Sequence, residues 1–253
     1  MNLIEVEENL YDKMLPLDLI LFKGNDLISR IVEDIEYYNT GYSDVSHVGM
    51  VVTSEILPSI PELEPNKIYI WESTSSLVIP ETNSTFIPDV ETKTTRFGVQ
   101  IRELKLVVDA YNGDVYWAKL KNSPWLNPNK RDKLLSDMKE IHQIYKQTHY
   151  ESNPISLISS ACRYFRPLRN LIDYTVIVIH MITNLLRITH GTLTQLDVEE
   201  LTVFCSEFVC IVFIILGIIP QTEIPYDITP INISDTLPYL IDTKHRLYPS
   251  KIN

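Results

Sequence analysis

The stretch FCSEFVCIVFIILGIIP at 204–220 limits the fold more than any other part of the chain. From Phe208 to Ile219 twelve residues pass without a polar side chain, yet a cysteine, a serine and a glutamate stand at the head of the run. Such a segment must leave water, in a bilayer or in a protein core. Crossing the hydrocarbon of a membrane takes about 20 residues; here backward extension meets Glu207 at once and Pro220 closes the far end. A buried helix is the expectation, and no transmembrane segment. It reads either as a core helix that happens to contain cysteines or as one that presents Cys205 in its first turn. There, unpaired backbone N–H groups and the helix dipole favour a thiolate.

A second apolar stretch, LIDYTVIVIHMITNLLRI at 171–188, is interrupted by Asp173, His180, Asn184 and Arg187 and also reads as buried or interfacial helix. With 253 residues, 45% hydrophobic and 22% charged, the chain has the composition of a globular protein. We expect one domain over 1–253 with a helical insertion at about 151–199. A net charge of −11 argues against nucleic acid as a partner. The most basic stretch, Arg163 to Arg169, reads as a helix face. Cys162, Cys205 and Cys210 suit neither a disulfide framework nor zinc, so a reducing, cytoplasmic setting is expected. The acidic N-terminus does not resemble an export signal. The histidines His142, His149, His180, His190 and His245 share no metal-ligand spacing, and no cofactor is expected. Oligomeric state is left open.

The remaining pattern is mixed. LPLDLILFKG from Leu15 reads as a strand ended by Gly24-Asn25, and 26–38 as a helix capped by Asp26. SHVGMVV (46–52) and KIYIWES (67–73) read as an antiparallel pair. FGVQIREL and GDVYWAKLK add two strands with KLVVDAY between them, for about five strands in all. A helix is expected from Lys130 to Tyr150, with an apolar stripe of Leu134, Leu135, Met138, Ile141 and Tyr145. Further helices are expected at 155–190, broken near Pro167, and an extended tail after Pro220.

A nucleophilic thiolate needs an imidazole within reach and a third group to orient it. His47 opens one strand, Glu72 ends the next, and antiparallel pairing sets them side by side. Each has a plainer reading: Cys205 as a small core residue, His47 as a structural histidine, Glu72 as a solvated strand end, Glu207 as a charge favoured at a helix N-terminus.

Taken in order, LPLDLILFKG, SHVGMVV, YIWEST, FGVQIREL with VYWAKLK, FCSEFV and YDITP resemble the circularly permuted branch of the NlpC/P60 superfamily of papain-like thiol hydrolases, which includes the YiiX-like proteins. The lecithin:retinol acyltransferase-like enzymes are more distant kin. The most specific parts are SHVGM and FCSEFV. The resemblance implies an α+β permuted papain-like fold, an antiparallel sheet packed against the nucleophile helix, with Cys205 as nucleophile, His47 as base and Glu72 as orienting acid. It also implies that Tyr150 lines the substrate site or supports the oxyanion. The expected activity is hydrolysis of an amide bond in a peptide or amino-acid conjugate. The alternatives are acyl-lipid hydrolysis or transfer, and a non-catalytic peptide- or protein-binding module. The geometric requirements are a Cys205 sulfur roughly 3 to 4.5 Å from a His47 ring nitrogen, Glu72 at the other nitrogen, and His47 on the sheet face that the helix covers.

Overall fold

The computed structural model describes residues 10–24, 45–74, 87–146, 148–150, 202–203, 205–221, 230, 233 and 240–249. The expected helix at 26–38, the insertion at 151–199 and nearly all of the tail from 222 to 239 lie outside the described residues.

The fold is α+β, built on a six-stranded antiparallel sheet. Its strands are β1 (Leu19–Gly24), β2 (His47–Val52), β3 (Tyr69–Thr74), β4 (Gly98–Glu103), β5 (Gly113–Leu120) and β8 (Ile241–Leu247), in the order β4-β3-β2-β1-β5-β8. A second, two-stranded parallel sheet joins β6 (His149–Tyr150) to β7 (Thr202–Val203). The helices are α1 (Leu104–Ala110), α2 (Arg131–Tyr145) and α3 (Cys205–Ile215).

Both faces of the large sheet are buried, which is why its inner strands read as nearly continuous apolar runs. On one face Leu19, Leu21, Val48, Met50 and Trp71 pack against Phe208, Val209, Val212 and Phe213 of α3. On the other, Ile20, Phe22, Val51 and Ile70 pack against Leu104, Val107 and Val108 of α1. Within the apolar run, Cys205–Ile215 is thus a core helix lying on β2 and β3. No helix among the described residues is long and apolar enough to cross a membrane.

Two strand ends are fastened by buried carboxylates. Asp18 accepts hydrogen bonds from the backbone N–H of Leu15 (2.9 Å) and Leu120 (2.8 Å) and from the Trp117 indole (2.9 Å), tying β1 to β5. Asp89 accepts from the N–H groups of Glu91, Thr92 and Ile101, sealing the loop before β4 onto that strand.

Two sequence expectations are corrected. The helix expected over Lys130 to Tyr150 ends at Tyr145, and Tyr150 belongs to β6. KLVVDAY, to which the sequence assigns no element, is helical apart from its last residue, as part of α1. The large sheet has a sixth strand, β8, whose sequence IDTKHRL buries only Leu247 and therefore carries no period-two alternation.

Candidate functional site

Cys205 owes its place to what precedes and follows it. Just upstream, β7 pairs with β6, Thr202 with His149 and Val203 with Tyr150, so the chain enters α3 from an anchored position. Downstream, Phe208 meets Trp71 edge-on with ring centroids 5.0 Å apart. Cys205 is 5% exposed at the helix start, whereas Cys210, one and a half turns on, is fully buried.

His47 is the first residue of β2. Strand alternation turns Val48 and Met50 toward α3, and His47, Gly49 and Val51 toward the opposite face. There the His47 ring lies 5.2 Å from that of Phe22, its partner across β1. The expectation that His47 shares the helix-covered face is therefore corrected. Cys205 is near His47 all the same: the thiol is close enough to the ring to raise the imidazole. Both residues open their elements, so ring and thiol meet at the end of the sheet without crossing it.

Glu72, fully buried on β3, accepts a hydrogen bond from Nε2–H of His47 at its Oε2, at 2.6 Å. That bond occupies one ring nitrogen and leaves Nδ1 for the thiol. A missing side chain gives Glu72 and its neighbour Ile70 their space. The β2–β3 register, with Met50 opposite Trp71, brings Gly49 against Glu72. A Cβ on Gly49 would come within 3.0 Å of the Glu72 Cβ and 2.6 Å of Ile70 Cδ1.

The other Glu72 oxygen belongs to Arg102 of β4. Nε and Nη2 of the guanidinium both donate to Oε1, at 2.9 and 2.6 Å, and Arg102 is itself 4% exposed. Arg102 is absent from the sequence-level site. The sign that would have revealed it is the alternation in GVQIRE, where Gln100 and Arg102 interleave with Val99 and Ile101. Two adjacent polar positions on one face of a buried strand call for a partner on the next strand. The register supplies it, with Glu72 opposite Gln100 and diagonal to Arg102.

These contacts make a row of alternating charge. Burial pushes the Glu72 carboxyl up, but the Arg102 charge and the His47 contact more than reverse this and hold it below the ordinary range. Burial pushes the His47 imidazole down; the charge and hydrogen bond of Cys205 and then those of Glu72 overcome it and lift the ring to about 10. An imidazolium is therefore favoured between the Cys205 sulfur and the Glu72 carboxylate, an arrangement able to support a sulfur nucleophile and then deliver a proton.

For Tyr150 the structure gives the backbone alone, paired with Val203 two residues before Cys205; its side chain lies outside the described residues. Glu207 stands in the first turn of α3, and its charge adds to burial in raising the Tyr145 hydroxyl. His142 is buried under Trp71 and pairs with Glu91 at 2.7 Å, while His245 stacks on Trp117, so both are accounted for by packing. Among the described residues no group of three His, Cys, Asp or Glu side chains is arranged to hold a metal ion.

No protein-family model matches the chain, and no curated protein matches it.

Proposed function

We propose that this protein is a cysteine hydrolase of the permuted papain-like type, cleaving an amide bond in a peptide or amino-acid conjugate through an acyl-enzyme on Cys205. One observation carries the reading: Cys205 at the N-terminus of a buried helix, distant in sequence, lies beside the His47 ring, which is itself hydrogen-bonded to the buried Glu72 carboxylate. A core cysteine has no need of an imidazole backed by a buried carboxylate. The resemblance in SHVGM and FCSEFV supports the same assignment.

The sulfur of Cys205 attacks the substrate carbonyl carbon, and the oxyanion is met by first-turn amides of α3, which have no partner within the helix. As the carbon–nitrogen bond breaks, Nδ1–H of His47 passes its proton to the departing amine. His47 then takes a proton from water, the resulting hydroxide attacks the thioester, and the thiolate leaves. Glu72 holds the ring in one orientation through both steps and offsets the charge of the imidazolium. A reducing, cytoplasmic setting, which keeps the thiol free, belongs to the same proposal.

Native protein is labelled briefly with iodoacetamide at pH 6 and each cysteine is quantified by mass spectrometry; the same preparations are assayed on dipeptide, acyl-ester and thioester probes. Cys205 is expected to label far faster than Cys210 or Cys162. Dipeptide turnover should fall about 10³-fold in His47→Ala, the scale of lost general acid–base catalysis. Equal labelling of the three cysteines removes the nucleophile. Turnover of acyl esters with none of dipeptides moves the substrate class to lipids.

A further inference from the structure

We infer that Arg102 is a fourth, positioning member of the site: by placing two N–H groups on a single oxygen of Glu72, it turns the other oxygen onto Nε2 of His47 and so presents Nδ1 to Cys205. The inference rests on the hydrolase reading above. A guanidinium braced against a carboxylate for stability alone commonly spans both oxygens in a fork. Here Nε at 2.9 Å and Nη2 at 2.6 Å both fall on Oε1, and Oε2 is left to the imidazole at 2.6 Å. The division follows from the strand register. Arg102 is directly opposite Ile70 and reaches Glu72 on the diagonal from β4, while His47 reaches it from β2 on the other side. Glu72 thus sits between two cations on neighbouring strands, each with its own oxygen.

Charge makes the arrangement more than mechanical. A fully buried carboxylate with only the imidazolium as partner would draw the proton from Nε2 as readily as stabilise it. Arg102, charged at every accessible pH, neutralises Glu72 permanently, so the proton on His47 stays with the ring and remains available to Cys205. Of the charged groups on α1, which packs on the same face, Lys105 and Asp109 are both exposed. Glu72, in direct contact with His47, is the group whose protonation the Arg102 charge biases.

The test measures the rate of Cys205 alkylation by iodoacetamide from pH 4 to 9, with thermal melting alongside, in wild type, Arg102→Met and Arg102→Lys. Removing the fixed cation should move the acid limb of the rate profile upward by about one pH unit, the low end of what an adjacent charge does to a carboxylate. Arg102→Lys, which keeps the charge but not the two-nitrogen geometry, should bring the limb back most of the way. A limb that stays at the wild-type pH in Arg102→Met, however far melting falls, overturns the inference and leaves Arg102 a structural brace. Should Arg102→Met not fold, Arg102→Lys decides: a small upward shift supports the inference and an unmoved limb overturns it. Failure of the hydrolase reading looks different, since wild-type Cys205 would then label no faster than Cys210.

Discussion

Asp18 and Glu72 are both carboxylates with no exposed surface, both fastened to neighbouring strands, and their charges are treated in opposite ways. Asp18 is satisfied by neutral donors only, two backbone N–H groups and an indole, and burial leaves its carboxyl above the ordinary range. Glu72 is satisfied by a guanidinium and an imidazole and is held below it. Asp18 lies at the end of β1 where it tethers β5; Glu72 serves the end where Phe22 pairs with His47. Neutral donors turn a buried acid into a fastener, whereas cationic ones make it part of a charge row that ends on a sulfur. Burial alone distinguishes neither.

The largest effect expected from breaking this contrast is at Glu72. Glu72→Gln removes the carboxylate and leaves the Arg102 guanidinium buried without it, at a cost of about 3 kcal/mol, and slows Cys205 alkylation at pH 6 by about 100-fold. Adding Arg102→Met should recover most of the stability and none of the alkylation rate, which chemical denaturation and timed labelling will read separately. Recovery of both together would make the pair structural.

A smaller effect is expected at Asp18. In Asp18→Asn an amide N–H must face one of the donors that the carboxylate now accepts, costing about 1 to 3 kcal/mol. The labelling rate of Cys205 per folded molecule should be unchanged. A change in that rate would join the two carboxylates in one unit.

The smallest effect is in the pH dependence of stability, where the two acids have opposite signs. The Glu72 carboxyl is lowered on folding, so its contribution is present above its unfolded value near 4.5 and is lost as pH falls toward the lower folded one. The Asp18 carboxyl is raised, so its contribution is present below its unfolded value near 3.8 and is lost as pH rises through the folded one. Denaturation midpoints between pH 3 and 6 should therefore fall less steeply with acid in Glu72→Gln than in wild type, and more steeply in Asp18→Asn. His47 adds a term at the other end, present below its unfolded value near 6.5 and lost as pH rises through about 10. Parallel pH profiles for the two acid variants would end the contrast.

Much of this arrangement is legible in the sequence because it rests on short periods. Alternation in SHVGMVV and YIWEST marks two strands, antiparallel pairing then sets His47 near Glu72, and the apolar run after Cys205 can only be a buried helix. What has no local period is not legible. The bridge of His149–Tyr150 with Thr202–Val203 is two residues long on each side, too short to pattern. The edge strand β8 buries only Leu247 and exposes residues on both faces, so its residues are not selected for alternation. The face on which His47 lies is not legible for a related reason: alternation fixes it relative to its neighbours in the strand, but which face α3 covers depends on where the chain returns more than 150 residues later.

Taken alone, the sequence determined the composition of the core, the inner strands, and the three residue types that a thiol site requires, because hydrophobic period and local turn chemistry are written along the chain. Only the tertiary structure decided that Cys205 and His47 meet at the ends of their elements and that Gly49 clears space for Glu72. It also decided that Arg102 takes one oxygen of that carboxylate and leaves the other to the imidazole. Those outcomes depend on strand register and on the packing of distant segments, and contacts across so many residues leave no mark in the order of the residues themselves.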